Sequence, residues 1–203
     1  LSCLPAIVVE LILSAIIERL NVRNAFLGYF LEAFVVAGLT EETCKFLFLR
    51  TTWRNPAFDY QFDAIVYAVM VALGFAAFEN VKYVYSYGFA TGIVRAVTAV
   101  PGHAIFGVFM GYFYGYAKLS DYWGRDDDRK AYLALSVVVP VLMHGCYDFL
   151  AFTQESDSRF TLLFYAYLVA LYVFGIRRVN RSSRDDRRVT RETVFDYFRR
   201  MQY

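Results

Sequence analysis

The chain has 203 residues, is 58% hydrophobic and 19% aromatic, and carries a formal net charge of +2. Soluble domains average about 45–50% apolar on a count that includes glycine and omits tyrosine, so the excess marks a chain rich in membrane-crossing sequence. The charge is asymmetric, with nine basic residues against four acids from Arg177 to Tyr203, yet so apolar a body argues for a lipid bilayer as partner and against nucleic acid.

In chain order, the apolar runs divide into about six spans, because a hydrocarbon core of about 30 Å needs roughly 20 helical residues per crossing. The first is expected over Leu4–Leu20 and the second over Ala25–Leu49, followed by a turn at Asn55-Pro56. The third covers Phe62–Tyr85. The region Phe89–Ala117 is too long for one simple span and contains Pro101-Gly102, so it reads as a broken or re-entrant piece followed by a helix starting near His103. The fifth is placed at Ala131–Phe152 and the sixth at Phe160–Ile176. The fold class is therefore all-α: a polytopic transmembrane helical bundle with one broken or re-entrant segment.

Residues 1–176 form one membrane domain in this reading, and 177–203 a basic cytoplasmic tail, amphipathic or disordered. The loop Ser120–Lys130 (SDYWGRDDDRK) reads as a solvated connector. Gly107, Gly111 and Gly115 recur every four residues and read as a smooth face for helix packing. Leu1 and the lack of a charged region before the first apolar run argue against a signal peptide and for a trimmed start. Lysine and arginine bias puts the tail in the cytoplasm together with Arg50, Arg54, Lys118, Arg125, Arg129 and Lys130, so both termini come out cytoplasmic.

Function is carried by ionisable residues inside the apolar runs, where their cost makes them rarely incidental. Only two histidines occur, His103 in PGHAIFGVFMGYFYG and His144 in VVVPVLMHGCYDFLAF. His144 and Asp148 are four apart and share a helical face, so the carboxylate either joins a metal site or orients the imidazole. Glu41 and Glu42 lie four and three residues before Lys45, which can neutralise one acid and leave the other as a base. Glu79 has Phe75 one turn before it and Lys82 three residues after. Glu10 and Glu32, in contrast, read as snorkelling or packing acids. An acid in an apolar setting, with histidine or a metal to hold water, provides the parts for peptide hydrolysis. No GxSxG site is present, and Cys146 points away from His144 on a helix. Competing readings are an ion- or proton-coupled transporter or channel, which would show paired broken helices in two halves, and a non-catalytic scaffold, including a haem version using both histidines.

Three motifs carry a family resemblance: EETCK fits EExxK (Glu41, Glu42, Lys45), FAAFE fits FxxxE (Phe75, Glu79), and HGCYD fits HxxxD (His144, Asp148). Together with PGHAIFGVFMGYFYGYA, they make Leu31–Phe152 resemble the PrsW family of intramembrane proteases, related to CAAX-processing, Abi-type proteases. The resemblance implies proteolysis of membrane-associated proteins in a prokaryotic cell membrane, with an anti-sigma factor as substrate of some relatives. It implies Glu41 as general base, Glu42 beside it, Lys45 as charge partner, and Glu79, His103, His144 and Asp148 as the water or metal site. Zinc and a metal-free glutamate mechanism both fit. For Glu41 and Glu42 to meet the other residues, the second span must slide to about Phe30–Trp53, with Trp53 as interfacial anchor and a water-filled cavity reaching the site.

Overall fold

The computed structural model describes residues 3–189, apart from the side chain at position 155. Among these residues eight α-helices follow one another: α1 (Cys3–Arg19), α2 (Ala25–Phe30), α3 (Thr40–Arg50), α4 (Gln61–Tyr87), α5 (Phe89–Val97), α6 (Ala99–Tyr122), α7 (Asp126–Ser156) and α8 (Thr161–Arg184). A π-helical segment, Leu31–Leu39, joins α2 to α3, so the second span is one helical run that continues through a 3₁₀ turn to Arg54. Among the described residues, Gln61–Tyr87, Phe89–Tyr122, Asp126–Gln154 and Ser158–Arg184 are long and apolar enough to cross a membrane. Outward-facing apolar side chains such as Val81, Phe89 and Leu162 are mostly exposed, as a lipid-facing surface requires.

The remaining two rods differ from simple spans. Cys3, the first described residue of α1, lies beside the middle of α4, its Sγ 3.9 Å from the Phe75 carbonyl oxygen. The run from Ala25 to Arg50 contains Glu32, Glu41, Glu42, Lys45 and Arg50, too many charges for a purely lipid-facing helix. Asn24 caps its start by accepting the Leu27 N–H at 3.1 Å.

The break in the fourth region falls at Thr98 (φ −114°, ψ −65°), three residues before Pro101. Pro101 and Gly102 instead lie in the first turn of α6, where proline's missing N–H would have had no helical partner anyway, and His103 follows them. The sharper change of direction is at Gly88, whose φ of 91° ends α4 and favours glycine. α5 folds back on α4 there: Gly92 packs against Val84, and Asn80 Nδ2 donates to the Gly92 carbonyl at 3.3 Å.

Close helix packing sets the bundle's centre. A Cβ on Gly107 would lie 3.0 Å from the Ala68 oxygen, on Gly111 2.5 Å from Ile65 Cα, and on Gly115 2.7 Å from the Gln61 oxygen. The glycine face of α6 therefore rides directly on the alanine face of α4, Ala64, Ala68 and Ala72. A second close crossing joins the π segment to α7: a Cβ on Gly38 would be 3.1 Å from the Val141 oxygen and 3.3 Å from the Gly145 nitrogen.

At the α3–α4 end, Tyr114 is fully buried, stacked on Phe58 (5.8 Å) and edge-on to Trp53 (5.1 Å). Trp53 is thus a packing residue of this cluster. The chain after α8 returns to the same end: Gln61 N–H donates to the Arg187 carbonyl at 2.7 Å, Asp186 accepts the Phe62 N–H at 2.9 Å, and Val189 is buried. The first residues of the basic tail, Arg177–Arg184, continue α8, whereas the rest of the expected amphipathic or disordered tail, 190–203, lies outside the described residues. Of the expected Ser120–Lys130 connector only residues 123–125 lie between helices: Ser120 is buried at the end of α6, and Arg129 in the first turns of α7 bridges Asp121 (2.8 Å) and Asp126 (3.1 Å).

Replacing Gly111 by leucine is expected to cost at least about 1–3 kcal/mol, because the atoms it would meet are backbone. Gly74 faces open space, and Gly74→Leu is expected to stay within about 0.5 kcal/mol. Thermal unfolding of the two variants in detergent checks the difference.

Candidate functional site

Four elements bring their polar residues to one buried point. α3 contributes Glu41, Glu42 and Lys45, α6 His103, and α7 His144, and each of these five side chains is at most 6% exposed. α4 adds Glu79, at 15% exposure. Gly38 and Gly145 explain how α3 and α7 meet. Their missing side chains let the π segment approach α7 one turn before the two glutamates and immediately after His144. The π segment (i→i+5) changes the angular phase of everything after it, a local irregularity often found at functional sites.

Lys45 is the hub. Its Nζ donates to Glu42 Oε1 at 2.7 Å, to Glu41 Oε2 at 3.3 Å and to His103 Nδ1 at 2.8 Å, and lies 4.5 Å above the Phe75 ring. With Nδ1 accepting, His103 carries its proton on Nε2 and donates it to Glu79 Oε2 at 3.0 Å. Glu79 is held in turn by Arg95, which reaches Oε1 at 2.9 Å and stacks on Tyr83 at 3.6 Å. On the other side, His144 Nδ1 meets Glu42 Oε1 at 2.9 Å and its Nε2 meets Asp148 Oδ2 at 3.2 Å. Carboxylate oxygens face both ring nitrogens of His144, an arrangement in which both N–H groups donate. Phe106 stacks on the His144 ring (5.0 Å) and covers it.

All six residues expected to be catalytic therefore belong to one connected network, with His103 as a seventh member. Ligand atoms of Glu41, Glu42, His103 and His144 lie within 4.8 Å of one another. Glu79 and Asp148, expected with them as ligands, face the outer nitrogens of His103 and His144 instead. That is the position from which a carboxylate fixes an imidazole's tautomer and orientation. Two carboxylates and two imidazoles suit a small divalent ion such as zinc, and Glu42 Oε2 is buried without a hydrogen-bond partner. The Lys45 ammonium competes for three of those four groups.

Sequence reasoning passed over Arg95 and Phe106. Arg95 carried a usable signal, since it is a lone base in an apolar stretch. Phe106 carried none, because one phenylalanine among many gives no hint of where it stacks. Glu32 is a packing acid, accepting from Ser14 at 3.1 Å. Glu10 lines a narrow cleft of about 10 Å³ under α1 that reaches Glu41 and Glu79. Where a water-filled cavity reaching the site is expected, the cleft has room for about one water molecule.

A helical membrane bundle with a buried acid–imidazole network has the parts a membrane hydrolase needs. The comparisons agree: the family described as PrsW family intramembrane metalloprotease matches residues 1–176. The chain is 36% identical over 168 residues to Protease PrsW of Bacillus subtilis (strain 168), covering 82% of this chain and 72% of the relative. It is 30% identical over 187 residues to Protease PrsW of Clostridioides difficile (strain 630), covering 90% and 76%. For Protease PrsW of Halalkalibacterium halodurans, identity is 33% over 172 residues, with 81% and 77% covered. No solved structure matches. The chain belongs to the PrsW family, and it is a multi-pass membrane protein and a peptide hydrolase acting on membrane protein substrates. The transporter and scaffold readings are not favoured.

Removing Lys45 leaves buried carboxylates uncompensated, so Lys45→Met is expected to destabilise the protein by about 3–5 kcal/mol. Adding Glu41→Gln to Lys45→Met should recover part of that loss, because it removes one of the stranded charges. Thermal melts of the single and double variants read this out.

Proposed function

We propose that the chain cleaves its membrane protein substrates with a water activated by Glu41. The observation that carries this reading is the position of Glu41: it borders the cleft and touches the network through Lys45 at 3.3 Å and His144 at 3.9 Å. Glu41 takes a proton from water as the oxygen attacks the peptide carbonyl carbon, then returns that proton to the departing amine nitrogen. Lys45 supplies positive charge where the carbonyl oxygen becomes negative, and His103 holds its ammonium in place by accepting from it. Glu42 anchors Lys45 and His144, while Glu79 and Asp148 orient the two imidazoles.

Zinc would be held by Glu42, His103 and His144, and when bound it would polarise the water and the carbonyl. The place of Lys45 among the same donors favours a metal-free arrangement as the second reading. Zinc content measured by plasma mass spectrometry, alongside cleavage with and without chelator, separates the two. About one zinc per chain with activity lost on chelation supports the first. A metal-free, chelator-resistant enzyme supports the second.

The charge bias supports a cytoplasmic placement of the end carrying Arg50, Arg54, Lys118 and the returning segment at Arg187. An anti-sigma factor is the proposed type of substrate, and residues 1–176 the proposed protease domain, with the basic tail as an appendage.

Cleavage of a reconstituted membrane substrate by wild type, Glu41→Gln and His144→Ala tests the site. Losses of about 10²–10⁴-fold are expected for Glu41→Gln, the range of a general base. Cleavage unchanged in both variants would remove the proposal.

A further inference from the structure

The end of α8 builds a second polar feature, away from the buried network. A cavity of about 300 Å³ opens between the start of α4, α6 and this end of α8, and Gln61, Tyr112, Tyr116, Arg178, Arg181 and Arg187 line it. Asp185 also borders it, 3.6 Å from Arg181 Nε. The Arg178 guanidinium lies 4.1 Å from the centre of the Tyr112 ring. Among the described residues, neither Arg178 nor Arg187 has a carboxylate partner. Three guanidinium groups thus face one concavity with a single acid in its wall. Nearby Asp186 is already engaged in capping α4 through the Phe62 N–H. Guanidinium groups gathered this way are stabilised by an anion, and their planar fork matches the oxygens of a phosphate.

The surroundings decide which phosphate. A groove of about 190 Å³ runs beside the cavity, sharing Arg178 and Arg181 and bounded by Phe109 and Phe174. Phe174 and Ile176, in the turn just before the arginines begin, are largely exposed. The cavity therefore sits where an apolar surface gives way to charge, the level of lipid headgroups, and basic pockets between transmembrane helices at this level suit anionic lipids. We propose that this cavity binds the phosphate of an anionic glycerophospholipid, with an acyl chain lying along Phe109 and Phe174.

The test titrates the purified full chain in detergent with short-chain phosphatidylglycerol, the matching phosphatidylcholine and inorganic phosphate, reading thermal stability. Phosphatidylglycerol alone is expected to raise the melting temperature. The Arg178→Gln/Arg187→Gln pair is expected to weaken that response about tenfold or more in apparent affinity, as loss of charge-assisted contacts should. Arg54→Gln, an exposed base at the same end, should leave it unchanged. Native mass spectrometry of the wild type adds a readout that does not depend on the variants folding, with anionic lipid retained over phosphatidylcholine. An equal response to inorganic phosphate would overturn the lipid assignment. An equal loss in Arg54→Gln, or no preference for phosphatidylglycerol, would reduce the arginines to general surface charge and overturn the site.

Discussion

A buried charge must find its counter-charge inside the protein, and Lys45 imposes that condition on the whole bundle. Its ammonium lies among Glu41, Glu42 and His103, so α3 and α6 must meet at one depth. Glu42 extends the requirement to α7 through His144, and His103 extends it to α4 through Glu79. Four carboxylates in this network face Lys45 and Arg95 as fixed positive charges, which leaves a deficit to be met by protons or a divalent cation. In a low-dielectric interior such a deficit is costly, so the network must take up protons or a metal, and water chemistry uses both.

The backbone pays for this meeting with side chains it gives up. Gly107, Gly111 and Gly115 let α6 lie on α4, and Gly38 and Gly145 let the π segment reach α7. Each of these contacts brings one corner of the network within hydrogen-bonding distance of the next. α1 covers a cleft with room for about one water. A substrate peptide needs more space than that, so its entry requires movement of the elements around the cleft.

Much of this was legible in the sequence, for a physical reason. Ionisable residues in apolar runs stand out, which is why Glu41, Glu42, Lys45, Glu79, His103, His144 and Asp148 could be named together. The glycine face of α6 was legible from its spacing. What the sequence did not reveal depends on three-dimensional phase. Nothing in LEAFVVAGL signals a π-helix, and spacing along one helix cannot say which nitrogen of an imidazole meets which acid. Glu79 and Asp148 were expected among the ligands because residue type alone does not separate a ligand from the group that orients it. The break at Thr98 was hidden by Pro101, a stronger local signal that a helix's first turn accommodates.

The most direct test of one shared network doing the hydrolysis is a double-mutant cycle on kcat/KM for substrate cleavage, with Glu42→Gln, His144→Gln and the pair. Residues that act as a unit are strongly non-additive, so the double variant should be about as slow as the worse single one. Losses that simply multiply would show that Glu42 and His144 work independently, and would contradict the network described.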